Sequence, residues 1–91
     1  IGINLASKDF ENRVLRATIR ELSDGDLRFL EAMLPDEGPS NVSNIEKRMN
    51  KTSGYVSTYR RRLIEAGIIE MEGRGKVKSI LPGLKEYIKK Q

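Results

Sequence analysis

Ninety-one residues, 33% charged and 37% apolar, suit one small domain with a modest core. With no cysteine and no histidine, disulfides, Cys/His zinc sites, thiol nucleophiles and imidazole acid–base chemistry are excluded. No stretch approaches the ~20 apolar residues that span a bilayer and no signal peptide is visible, so the expectation is a cytoplasmic chain without a membrane partner.

The charge is unevenly placed. Residues 1–40 carry five bases and eight acids, net −3, whereas residues 41–91 carry twelve bases and five acids, net +7. The chain starts at Ile1 without an initiator Met, which suggests a piece of something longer. Asn41-Val42-Ser43 and Asn50-Lys51-Thr52 match the glycosylation pattern, but without a secretion signal both read as chance matches.

In chain order, residues 1–22 read as a lead-in and a helix capped by Ser7 and running to about Leu22. Its apolar residues fall in two rows, Phe10/Val14/Ala17 and Leu15/Ile19/Leu22. Two rows make a stripe wider than a lone surface helix needs. Either both pack within this domain, or part of the stripe faces a preceding one. Residues 23–91 read as the main domain. Ser23-x-x-Asp26 marks a helix start, with Leu27, Leu30, Met33 and Leu34 at core spacing before Pro35. Pro35 to Ser40 is a loop.

A short helix then starts at Asn41 or Ser43. Asn41 is preferred because it leaves Val42, Ile45 and Met49 on one face. Asn50 and Lys51 form a turn, and Thr52 or Ser53 caps the next helix. Around that helix the inward set is Val56, Tyr59, Leu63 and Gly67, with Ile64 at the edge. Gly54, Ser57, Thr58 and Arg61 point outward, flanked by Tyr55 and Arg62. Arg60 falls nearer the core side, where it is expected to bury its stem and pair with a carboxylate.

Gly67 sits where a left-handed helix stop is wanted. Ile68–Glu72 and Lys76–Leu81 read as two strands joined by a Gly73-Arg74-Gly75 tip. Pro82 starts a last short helix with Leu84, Tyr87 and Ile88 buried and Lys85, Lys89, Lys90 and Gln91 solvated. Helix, turn, helix, then a basic-tipped hairpin is the layout of a winged helix-turn-helix: mainly α with a small β-hairpin.

The outward face of residues 53–62 carries the strongest functional signal. Small and hydroxyl residues let a helix backbone approach DNA closely, and arginines bind phosphates or base edges. Ser53, Tyr55, Ser57, Thr58, Arg61 and Arg62 form the candidate groove face. Lys47, Lys51 and the Gly54 amide are candidates for backbone phosphates. Arg74, Lys76 and Lys78 form a candidate wing, since an arginine at such a tip can enter a minor groove. Glu70 and Glu72 cut against a uniformly basic wing.

Gly73-Arg74-Gly75-Lys76 is no phosphate loop, because its spacing is wrong and Val77 replaces the Ser or Thr. Asp24, Asp26, Asp36 and Glu37 sit at helix starts and in a loop, where acids are expected without catalysis or metal. No catalytic residue and no metal ligand is expected in this stretch.

The segments Leu22–Met33, Tyr55–Ile69, Gly73–Val77 and Leu81–Ile88 resemble the C-terminal winged-helix domain of prokaryotic AAA+-type ATPases, the group related to origin-recognition and helicase-loader ATPases. That resemblance implies an ATPase module before Ile1, with the first helix as the end of its lid or the linker to it. ATP and Mg²⁺ would bind to that other part. The expected partners are therefore duplex DNA and a preceding ATPase domain. Two other classes remain open: an interaction module that docks on its own ATPase or a partner without DNA, and a free-standing transcription regulator that dimerises through the first helix.

Overall fold

The computed structural model describes residues 13–90. A helix over residues 13–20, α1, leads into α2 (Asp24–Met33). A two-residue strand β1 (Ser40–Asn41) runs directly into α3 (Val42–Met49), and α4 (Ser53–Glu65) follows. The hairpin strands are β2 (Ile69–Met71) and β3 (Lys76–Ser79), and α5 (Leu84–Lys89) ends the chain. The architecture is mainly helical with one small antiparallel sheet, a winged-helix-like arrangement.

The helices begin where local chemistry requires. Ser23 and Asp26 form a reciprocal capping box at the start of α2, and Thr52 Oγ1 accepts from the Tyr55 amide at the start of α4. Asn41 is the N-cap of α3, as preferred, although its side chain makes no capping bond. Asn50 ends α3 in the left-handed region (φ 56°), which Asn tolerates better than most residues. Gly67 turns the chain out of α4 at φ 75°, and Gly73 and Gly75 at the hairpin tip are also left-handed.

The sheet has three strands in the order β1-β3-β2, one more than the expected hairpin. Ser40 faces Val77 and Asn41 faces Lys76, while Glu70 faces Lys78 and Met71 faces Val77. A two-residue strand shows no alternation in sequence, so no pattern announced β1. Its consequence is positional. The Val42 amide, the first of α3, donates to the Gly75 carbonyl at 2.8 Å and ties the hairpin tip to the helix start.

Phe29, Met33, Ile45, Val56, Leu63, Ile68, Ile69, Val77 and Leu84 make the fully buried centre. The α4 register is the expected one at Val56 and Leu63, which are buried, and at Arg61, which is exposed, but Gly67, expected inward, lies exposed because the helix has ended before it. Tyr59 and Met49 are half-buried, as are Leu27 and Leu34. Phe29 and Ala32 take the places that were expected for the latter two.

In α1 the two apolar rows separate. Leu15 is buried and Ile19 and Leu22 pack against the core, whereas Val14 is 40% exposed and Ala17 lies open. Phe10 and the Ser7 cap lie outside the described residues. The last helix starts at Leu84, two residues after Pro82, with Gly83 as its N-cap. Lys85 is not a solvated residue. Its Nζ donates to the Asp36 carbonyl at 2.6 Å and holds the loop before β1.

Candidate nucleic-acid interface

The outward face of α4 is built as its sequence suggests, except at one flank. Ser53, Gly54, Thr58 and Arg61 are exposed and Ser57 is half-buried. In helix geometry the first-turn amides of Ser53 and Gly54 have no partner within the helix. The Thr58 hydroxyl donates back to the Gly54 carbonyl at 3.1 Å. Lys47, in the last turn of α3, and Lys51, in the turn before α4, are exposed.

Arg62 does not belong to it. Its Nε and Nη2 each reach a different carboxylate oxygen of Asp26 at 3.1 Å. The Asp26 side chain is 2% exposed, and the Ser23 amide and hydroxyl donate to it as well. Burial pushes this carboxyl up, but the bonds from Arg62 and Ser23 outweigh it and hold the group below its ordinary value. An unpaired carboxylate here would be costly, so the clamp takes the arginine that the α4 wheel places beside α2. Arg62 keeps 53% of its side chain exposed, but its fork is spoken for.

The carboxylate pairing expected at Arg60 is therefore found two residues later, at Arg62. Arg60 is half-buried and has no carboxylate within 4.0 Å among the described residues. In the sequence Asp26 reads as a cap alone. The available signal was an arginine three residues after the inward Tyr59, on the flank that α2 covers.

Tyr55 is also partly engaged. It stacks on Tyr59 with ring centroids 4.9 Å apart, and Lys51 lies 5.1 Å over its face. Tyr59 in turn lies against Gly25, where an added Cβ would overlap the ring. Gly25 is a contact that sequence reasoning missed, because a glycine one residue into a helix reads as mere tolerance. The aromatic pair and the clamp together fix how α4 sits on α2.

The wing is less basic than its sequence. Lys78 bonds Glu72 at 2.9 Å and Glu70 at 3.3 Å, and both glutamates push its ammonium pKa up. Cross-strand register explains this, since Glu70 and Lys78 are directly opposite. Arg74 and Lys76 are exposed and have no carboxylate within 4.0 Å among the described residues. The open cations of the candidate surface are therefore Arg61, Lys47 and Lys51 around α4 and Arg74 and Lys76 at the tip.

Of the acids noted at helix starts and loops, Asp24, Asp26 and Asp36 have structural partners. Asp24 bonds Arg28 on the same helix. Asp36 accepts two bonds from Arg48, at 2.7 and 3.1 Å, and one from Ser40 at 2.6 Å. Those bonds lower its pKa to about 2. Among the described residues no group of acidic side chains is placed to hold a metal, and no helix is long and apolar enough to cross a membrane.

A family model described as Domain of unknown function (DUF8462) matches residues 12–88, most of the chain. No curated protein sequence matches it.

Proposed function

We propose that this chain, which belongs to the DUF8462 family, contacts duplex DNA through α4 and the hairpin tip, as the DNA-binding domain of a larger ATPase. The observation that carries this reading is the outer face of α4. Small groups at Gly54, Ser57 and Thr58 surround an open Arg61, and the only acid of the helix is its last residue, Glu65. A second-helix face of this kind, with orphan amides at its start, suits phosphates at the groove edge and bases within it.

Exposed Lys47 and Lys51 add phosphate contacts, and Arg74 and Lys76 suit an adjacent groove. The ATPase part of the reading rests on the resemblance described above. It places ATP and Mg²⁺ on another module, leaves this one without chemistry of its own, and goes with a cytoplasmic location. The open Val14 and Ala17 on α1 suit a surface covered by such a module.

The test is a titration of the folded domain against random-sequence duplex at low salt, repeated as salt rises. With few phosphate contacts, binding is expected near the non-specific range of ~10⁻⁴–10⁻⁶ M and should fall steeply with salt. No binding at about 50 μM protein would favour the alternative, a winged helix that docks on its own ATPase or a partner without DNA. The mixed charge of Glu70, Glu72 and Lys78 on the hairpin is what speaks for that second reading.

A further inference from the structure

Three side chains of the candidate groove face are already engaged. Arg62 is held by Asp26, Tyr55 packs against Tyr59 and Lys51, and the Thr58 hydroxyl donates to the Gly54 carbonyl. Besides the hydroxyls of Ser53 and Ser57, which suit any base, two groups remain on the outward face. One is the guanidinium of Arg61, which is exposed and has no carboxylate within 4.0 Å among the described residues. The other is the methyl group of Thr58, which is what that exposed side chain offers once its hydroxyl is turned to the helix backbone.

These two residues are three apart, so they share a face and lie about 4.5 Å apart along the helix axis. That spacing is close to one base step of about 3.4 Å. In the major groove an arginine fork matches guanine O6 and N7, and a threonine methyl matches the thymine methyl. We propose that Thr58 and Arg61 together select a thymine next to a guanine, Thr58 through its methyl group and Arg61 through a two-pronged bond to guanine. The inference rests on the DNA-binding reading above and adds the base step that the surface prefers. Recognition by one arginine and one methyl is thin, so the preference is a modest one laid over binding to any duplex.

The test uses two short duplexes, one alternating T and G along a strand and the other alternating T and C. The first sets thymine beside guanine on one strand, and the second sets them on opposite strands. Each is also made with uracil for thymine, which removes the methyl, and with 7-deazaguanine for guanine, which removes N7. In at least one duplex the wild-type protein is expected to lose about fivefold in affinity with 7-deazaguanine and about threefold with uracil. Arg61→Ala should be indifferent to the first change and Thr58→Ser, which keeps the hydroxyl, to the second. Equal wild-type affinity for parent and modified duplexes overturns the inference and leaves DNA binding standing, with Arg61 on a phosphate. No affinity for any duplex overturns both.

Discussion

Arg61 and Arg62 are adjacent in the chain and have opposite fates. One is open on the outer face of α4, and the other is locked to a buried carboxylate on α2. A single residue step turns a side chain by about 100° around a helix, which is enough to move it from the groove face to the flank beside α2. A basic run in the sequence thus overstates the charge available to a ligand. In the candidate surface Arg62 and Lys78 are both neutralised within the domain, each by acids that its own packing brings near.

Leu63 extends the comparison to a third residue, and the three should respond to truncation in a fixed order. Leu63→Ala removes a fully buried side chain and is expected to cost about 2–5 kcal/mol, read by chemical denaturation. Gly25→Ala comes next. Its new Cβ would displace the Tyr59 ring and lower the melting temperature, whereas Gly54→Ala, in open space on α4, should raise it slightly. Arg62→Met should also destabilise, because it leaves Asp26 buried without its main partner, while Arg61→Ala should leave the melting temperature unchanged. Equal loss from both arginine variants would erase the distinction drawn between them.

Acid should sharpen it further. The Asp26 and Asp36 carboxyls have lower pKa values folded than unfolded, and Asp36 lies at about 2. The unfolded chain then binds more protons, so their contribution is full above the ordinary carboxylate range near 4 and is lost as pH falls through the folded values. Stability measured from neutral pH down to about pH 2 should fall, with the fall smaller in Arg62→Met, which has already lost the Asp26 clamp.

The helices and the α4 register were legible in the sequence because they depend on local signals. The Ser23 and Thr52 caps, the period of Val56 and Leu63 and the stop at Gly67 each act within a few residues. What was not legible depends on long-range pairing. Asp26 meets Arg62 thirty-six positions later, and β1 exists only because Val77 lies opposite Ser40. The partial loss of the candidate surface has the same origin. Outward direction can be read from a wheel, but engagement of Arg62 needs knowledge of which helix covers its flank. Arg61, Thr58 and Gly54 kept their outward places because no described element lies over them.

On the proposed reading, Arg61 meets DNA and Arg62 does not. The salt dependence of duplex affinity tests it most directly, measured for wild type, Arg61→Ala and Arg62→Met at a temperature where circular dichroism shows all three folded. An arginine on a phosphate carries about one unit of the slope of log affinity against log salt, whereas one on a base edge carries affinity and leaves the slope nearly as it was. The expected result is weaker binding at every salt concentration in Arg61→Ala and wild-type affinity and slope in Arg62→Met. Unchanged affinity in Arg61→Ala, or a loss confined to Arg62→Met, would contradict the account.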